Sequence, residues 1–305
     1  MANNHAASEI WNQLSKSFSE TIQTLQNSIV AIRSGGRSTA SGVVWRPGII
    51  VTVHHGIRGP EEIKVIHRSA PFAATLLGSD LGTDLAVLRT TSEHLQPVES
   101  TGHQDLRVGE IALAVGRSGL GDISASSGII ARTGNSWRTG SGGQIDHLIR
   151  PDVRLYVGQS GSALVNERHQ VLGVNSSALA RHAVITIPKQ TIDRVLDAIL
   201  ERGHVPRPFL GIATQAVPVP ESVRRHLAEG AEQILLVMHV EPKAPAAAAG
   251  VLVGDLIVSV NGEAVHSVRD LLHRLSNFRV GDTISLVVIR GGTRVDLAVG
   301  VADRG

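Results

Sequence analysis

The chain has 305 residues, a formal charge of +2 and no cysteine, with 42% apolar but only 3% aromatic residues. Its length suits two domains whose cores rest on Val, Ile, Leu and Ala. Lack of cysteine excludes disulfides, a thiol nucleophile and Cys-ligated zinc. The charges are interspersed and no Lys/Arg cluster is interleaved with aromatics, which argues against nucleic-acid binding. No run approaches about 18 apolar residues, so no membrane span is expected. Met-Ala-Asn-Asn-His at the start lacks the basic region and apolar core of a signal peptide. A cytoplasmic location follows, or a periplasmic one if the natural N-terminus is missing.

In chain order, Ile10, Trp11, Leu14, Phe18, Ile22 and Leu25 recur every three or four residues, which predicts a helix over 8–26. The stripe suits either packing on its own domain or an oligomer contact, since Trp11 and Phe18 are two of only eight aromatics. From Ser28 the texture changes to short β-rich runs: Ile29–Ile32, Gly42–Trp45, Ile49–Val53, Ile63–Ile66, Leu85–Leu88 and Ile111–Val115. They are punctuated by Arg-Pro-Gly at 46–48, Arg-Gly-Pro at 58–60 and Val-Gly-Glu at 108–110. Ser127–Ala131, Gln170–Val174 and Ala183–Ile187 continue the series, which indicates a β-barrel or sandwich. Residues 135–143 read as a polar, glycine-rich, mobile loop.

Thr191–Arg202 reads as a helix stopped by Gly203. His204-Val-Pro-Arg-Pro208 is a semi-rigid connector, where a domain boundary is expected. The last hundred residues carry strands near 209–212, 234–240, 256–260, 283–289 and 294–299. They also carry a helix over Val268–Phe278 capped by Ser267. Ala244–Gly250 suits only a short helix.

Val157-Gly-Gln-Ser-Gly-Ser-Ala163 sets Ser160 among small residues, where a hydroxyl can reach a carbonyl. Such a nucleophile needs a base, and the base needs an orienting group. His54 and His55 end an apolar strand. On a continuing strand they point to opposite faces, which argues against a chelating metal pair. Asp84 precedes the strand Leu85–Leu88, where partial burial keeps a carboxylate ionised toward an imidazole; a simple turn role is the alternative. The order His55, Asp84, Ser160 is that of chymotrypsin-type enzymes, not α/β-hydrolases, whose elbow would also put glycine at position 162.

Several motifs follow one another in a familiar order. They are Ser41-Gly-Val-Val, Ile50-Val-Thr-Val-His-His55, Thr83-Asp-Leu-Ala-Val-Leu88, Leu106-Arg-Val-Gly-Glu, Ala114-Val-Gly116 and Ser127-Gly-Ile-Ile. Gly158-Gln-Ser-Gly-Ser-Ala-Leu-Val-Asn166, Val171-Leu-Gly-Val-Asn175 and Ile185-Thr-Ile-Pro188 complete the set. Through them the chain resembles HtrA/Deg-family serine proteases.

The resemblance implies a mainly β chain: an N-terminal helical segment (1–27), a trypsin-like double β-barrel (28–203) and an α+β PDZ domain (204–305). It implies His55 as general base, Asp84 as its orienter, Ser160 as nucleophile and the N–H groups of Gly158 and Ser160 as the oxyanion hole. The strand at 171–178 would pair with the substrate backbone. Leu155, Ser176 and Ala178 are expected to wall a pocket for small aliphatic side chains. Pro208-Phe-Leu-Gly-Ile212 resembles a PDZ carboxylate-binding loop, with Phe209, Leu210, Gly211 and Ile212 in contact with peptide. Ala249–Gly262 carries the PDZ signature, and Leu271, Leu272 and Leu275 suit a groove wall or plain core.

Gln159 and Ser162 depart from the family's Asn and Gly, and Arg154, Tyr156 and Val157 replace smaller or more polar residues. Because Gln159 is not Asp, activation by a newly cut N-terminal amine is unavailable, and loop ordering falls to a partner or ligand. The implied activity is endoproteolysis of unfolded or misfolded polypeptides, with peptide C-termini at the PDZ domain and a homotrimeric assembly. No cofactor and no metal are expected. The alternative is a protease-fold PDZ binding protein with little or no turnover.

Overall fold

A computed structural model of the chain describes residues 2–303 except 36–37, 59–61, 69, 93, 103–105, 118, 120 and 228–229; the side chains of 2–7 and 38–39 are likewise outside it. The turn expected at 58–60 therefore falls largely outside the described residues. The chain falls into two compact units, Met1–Val205 and Pro206–Gly305.

The first unit opens with α1 (Ala2–Leu25). Its apolar stripe divides. Leu25 is buried and Phe18 and Ile22 pack on the unit's own core, whereas Ile10 and Trp11 are 65% and 71% exposed. Thr21 Oγ1 meets His169 Nδ1 at 2.6 Å. The buried Arg117 guanidinium donates to the carbonyls of Gln26, Ile29 and Gly121 at 2.5–2.6 Å. Removal from water pushes its pKa below the ordinary arginine value.

Strands β1 (Ile29–Ser34), β2 (Ser38–Arg46), β3 (Ile49–Val53), β4 (Ile63–His67), β5 (Ala70–Asp80) and β6 (Leu85–Arg89) close a barrel in the order β1-β2-β3-β6-β5-β4. After them come β7 (Ile111–Arg117), β8 (Ile123–Gly134), a hairpin of β9 (Trp137–Arg138) with β10 (Gln144–Ile145), β11 (Leu148–Pro151), β12 (Ala163–Val165), β13 (Val171–Ser176) and β14 (Ile185–Pro188). A second barrel runs β11-β14-β13-β12-β7-β8. β3 and β13 are buried along their whole lengths and pack against each other between the barrels. β3 accordingly reads as a nearly continuous apolar run rather than an alternating one, whereas β13 also buries the polar Asn175 and Ser176. Fully buried Ile29, Ile32, Ile50, Leu85, Leu88 and Ile130 carry the aromatic-poor cores, each contributing about 1.5–3 kcal/mol of burial.

The segment 135–143, expected as a mobile loop, is instead half of the β9–β10 hairpin and is tied down. Thr139 is buried and its Oγ1 donates to Gly82 O at 2.7 Å. A Cβ on Gly143 would stand 2.1 Å from the Gly82 carbonyl carbon, so only glycine allows this approach. β5 has no counterpart among the expected strands. Its Ala-Pro-Phe-Ala-Ala opening lacks β-branched residues, and its place is set by pairing with β4 and β6. α2 (Lys189–Arg202) closes the unit, ended by Gly203 at φ +80°. No helix among the described residues is long and apolar enough to cross a membrane.

The second unit contains β15 (Pro208–Phe209), β16 (Ile212–Pro218), β17 (Gln233–Val240), α3 (Pro245–Ala248), β18 (Leu256–Val260), β19 (Glu263–Ala264), α4 (Val268–Leu275), β20 (Thr283–Arg290), β21 (Thr293–Gly300) and β22 (Ala302–Asp303). Its sheet runs β16-β17-β18-β20-β21, with β19 paired to β18, so β16 is an end strand. Ser267 and Asp270 form a reciprocal capping box at the start of α4. Leu271 and Leu275 are core, whereas Leu272 is exposed. Buried Asp255 accepts two bonds from Arg290, at 2.8 and 2.7 Å.

Candidate active site

Strand pairing brings the first two groups together. β3 and β6 are antiparallel with Val53 opposite Leu85, so the residues after β3 lie beside the residue before β6. Asp84 sits there at φ +58°, a left-handed conformation that Asp tolerates better than most residues. It is reached through a turn held by Asp80, whose Oδ2 accepts from Thr83 N and Oγ1 at 2.9 and 2.7 Å. His54 N donates to Asp84 O at 2.9 Å.

β3 does not continue through the histidines; His54–Gly56 forms a 3-10 turn. His54 turns its Nδ1 to Ser79 Oγ at 3.0 Å, and His55 turns the other way. His55 Nδ1 lies 2.8 Å from Asp84 Oδ2 and 3.0 Å from Oδ1, and its backbone N–H donates to Oδ1 at 3.0 Å. Asp84 is buried and His55 partly exposed, and the carboxylate faces the Nδ1 edge of the ring, leaving the Nε2 edge turned away from it.

Ser176, expected as a pocket wall, is fully buried and donates its hydroxyl to Asp84 Oδ2 at 2.6 Å. Its hydroxyl is thus taken up by the carboxylate rather than turned to the cleft described below. Alternation along β13 turns it inward, and the residue names alone carry no sign of which face that is.

Ser160 lies on the loop between β11 and β12. Its Oγ is 3.3 Å from Ser177 Oγ and accepts from Ser177 N at 3.2 Å. Among the described residues it makes no hydrogen bond to His55.

The loop's N–H groups divide cleanly. Gln159 N donates to Tyr156 O at 3.0 Å, Gly161 N to Asn175 O at 2.7 Å and Ser162 N to Gln159 O at 3.0 Å. The N–H groups of Gly158 and Ser160 meet no acceptor among the described residues, so two alternate donors on this loop stay free. Gly158 is at φ +86° and Gly161 at φ +91°. A Cβ on Gly161 would stand 2.0 Å from Ser41 O.

Both sequence departures in this loop are internally bonded. Buried Gln159 accepts Tyr156 N–H at Oε1, 2.9 Å, and donates through Nε2 to Ser124 Oγ, 2.7 Å. Buried Ser162 accepts at Oγ from Asn175 Nδ2 at 3.1 Å, and the absent side chain of Gly116 leaves it room.

Ser41 was not singled out from the sequence, yet it joins the two barrels. Its N–H donates to Ser160 O at 2.8 Å and its Oγ to Gly158 O at 3.0 Å, while Arg117 N donates to that Oγ at 3.0 Å. A serine inside a β-strand carries no sequence signal for such a role.

A cleft of about 660 Å³ opens beside the loop. Leu155 and Ser177 line it; Ser176 and Ala178 do not. Ala178 is exposed, with its N–H on Ser176 Oγ at 3.1 Å.

In the second unit, Leu210 is buried and Gly211 is at φ +80°, where a Cβ would stand 2.0 Å from Ala244 Cβ. Their carbonyls accept from Ala246 N and Glu241 N. Their own N–H groups meet no acceptor among the described residues. They adjoin Ile212, the first residue of the end strand β16.

Two closed six-stranded barrels with this His–Asp pair and serine loop define a trypsin-like serine peptidase followed by a second, separate unit. Residues 40–174 match the trypsin-like peptidase domain and residues 208–301 the PDZ domain. The serine protease Do-like HtrA of Lactobacillus helveticus is 33% identical over 282 residues, which are 86% of this chain and 68% of that protein. A probable periplasmic serine endoprotease DegP-like of Bartonella henselae is 33% identical across 83% of this chain and 50% of its own length. The solved structure of the HtrA-type protease AlgW with a tripeptide superposes with a TM-score of 0.65 at 28% identity, covering 94% of this chain and 97% of that one. The serine endoprotease from Yersinia pestis gives 0.67 at 27%, covering 93% and 98%.

The chain belongs to the HtrA family of serine proteases, and by class it is a serine endopeptidase. It spans about two thirds of the first of these relatives and half of the second.

Proposed function

We propose that the chain cleaves unfolded or misfolded polypeptides through an acyl-enzyme on Ser160. His55 acts as general base, Asp84 as its orienter, and the N–H groups of Gly158 and Ser160 as the oxyanion hole. In the first step His55 Nε2 takes the Ser160 proton as Oγ bonds to the substrate carbonyl carbon. The two free donors then meet the resulting oxyanion, and Nε2 returns the proton to the leaving amine. The carrying observation is the alternation of free and bonded N–H groups along residues 158–161. It favours turnover over a binding protein that has lost its chemistry, since collapse of the loop would spend those donors internally.

The Ser160 hydroxyl rests on Ser177, and in this reading it turns to His55 when substrate binds. Catalytic bonds of this kind commonly tighten only when substrate is present. In this reading the PDZ unit binds peptide C-termini, with the N–H groups of Leu210 and Gly211 on the terminal carboxylate and the peptide added to the edge of β16. Phe209 and Ile212 flank that loop. Leu155 stays a candidate for the primary pocket, and Ala178 for its rim. Exposed Ile10 and Trp11 on α1 suit contacts within a homotrimer. A periplasmic location fits the naming of relatives such as that of Bartonella henselae better than the cytoplasmic one expected from the first residues.

Casein cleavage tests the activity. Wild type should degrade unfolded casein, and Ser160→Ala and His55→Ala should not. Equal degradation by wild type and Ser160→Ala would refute it.

A further inference from the structure

The cleft beside Ser160 carries charge that the trypsin-like mechanism does not use. Arg132 on β8 and Arg150 on β11 stand directly opposite each other across the antiparallel pair. Both line the cleft, and both are exposed. Like charges at opposed positions repel and destabilise a sheet. Neither guanidinium makes a hydrogen bond or ion pair among the described residues. One carboxylate, Asp152, also lines the cleft and is bonded to neither arginine. Two guanidinium groups against one carboxylate leave the cleft positive.

Ser177 links this charge to the chemistry. It lines the cleft, and its N–H and hydroxyl lie against Ser160 Oγ. A group entering the cleft past Ser177 is therefore part of the chain being held at Ser160. The apolar lining from Val153, Leu155 and Val184 suits the methylenes of a side chain, and paired guanidinium groups suit a carboxylate.

We propose that the cleft is an acid-selecting substrate subsite, in which Arg132 and Arg150 bind the carboxylate of a Glu or Asp side chain close to the scissile bond. This deepens the protease reading above and rests on it only for the direction in which substrate lies.

The test separates binding from turnover. Short fluorescein-labelled peptides, amidated at the C-terminus to avoid the PDZ unit, carry a single Glu scanned across the positions around a central Val. A matched set carries Gln. Anisotropy measures their binding to full-length Ser160→Ala, and covalent labelling of the wild type by a fluorophosphonate reports the serine independently.

At one or two adjacent positions Glu should bind about fivefold tighter than Gln, as expected for partly screened charge pairs. Arg132→Gln/Arg150→Gln should bring the ratio to near one with fluorophosphonate labelling unchanged, and Arg132→Lys/Arg150→Lys should restore part of it. Should the double Gln variant fail to fold, the salt dependence of the parent decides. The ratio should collapse between about 50 and about 500 mM salt. Equal binding of Glu and Gln peptides at every position, or a preference that survives in the Gln variant or in high salt, overturns the proposal. Loss of labelling in the wild type would count against the catalytic reading alone.

Discussion

Gln159 Nε2 lies 2.7 Å from Ser124 Oγ, and through this bond the loop carrying Ser160 is tied to β8. The same side chain accepts the Tyr156 N–H at 2.9 Å, so a neutral, buried amide braces the loop from within. No terminal ammonium is needed to balance it. Gln159→Ala should lower kcat/KM about tenfold, because the half-exposed Tyr156 N–H and Ser124 Oγ lose their partners at about 1 kcal/mol each and the loop loses its brace. Gln159→Glu should be worse, since it buries a charge in place of an amide. Steady-state kinetics on one peptide substrate checks both.

Ser176 gives a sharper contrast. As a donor to Asp84 it shapes the base; as a pocket wall it would shape substrate choice. Ser176→Ala should therefore lower kcat about tenfold with KM nearly unchanged, in keeping with loss of a hydrogen bond to a charged group. A change confined to KM or to cleavage preference would return Ser176 to the pocket. Asp84→Asn should be more severe, at about 10³–10⁴ in kcat.

The β9–β10 hairpin supports Asp84 from behind, through Thr139 and Gly143 on the turn at Gly82. Gly143→Ala should push that turn away and reduce kcat at least tenfold, leaving PDZ peptide binding intact. Gly161→Ala should be equally damaging. It places a Cβ against Ser41 O and forces a left-handed backbone on alanine, which costs about 1 kcal/mol or more before any clash.

Burial opposes ionisation of Asp255, but the Arg290 bonds and the Leu252 N–H outweigh it and hold its carboxyl below the ordinary 3.8. The sign follows from linkage. Stability from this pair is complete above the unfolded value of about 3.9 and is lost as pH falls through the lower folded value. Melting of the second unit should therefore drop steeply below about pH 4. Asp255→Asn should remove roughly 2 kcal/mol at neutral pH and flatten that drop. Calorimetry as a function of pH checks it.

Much of this site was legible because chemistry and strand punctuation coincide. Val51-Thr-Val-His-His and Thr-Asp-Leu-Ala-Val each mark a strand end, and pairing of β3 with β6 brings those ends together. The rest depended on which face a residue takes. Ser176 and Ser177 are neighbours with the same side chain, yet one meets Asp84 and the other meets Ser160. Ser41 looks like any small residue in a strand, and its role exists only once the barrels meet. β5 and the 135–143 segment escaped because alanine, proline and glycine there give weak local signals that long-range pairing overrides. The apolar stripe of α1 suited two uses, and the structure divides it: Phe18, Ile22 and Leu25 face the unit's own core, while Ile10 and Trp11 do not.

The central claim is that Ser160, whose own N–H and that of Gly158 meet no acceptor among the described residues, is an activated nucleophile. Covalent modification by a fluorophosphonate, mapped by mass spectrometry of the digested protein, tests this most directly. A single adduct on Ser160, absent in Ser160→Ala and strongly slowed in His55→Ala, is the expected result. An unmodified Ser160 in the folded wild type, with casein or PDZ-binding peptides present, would contradict it.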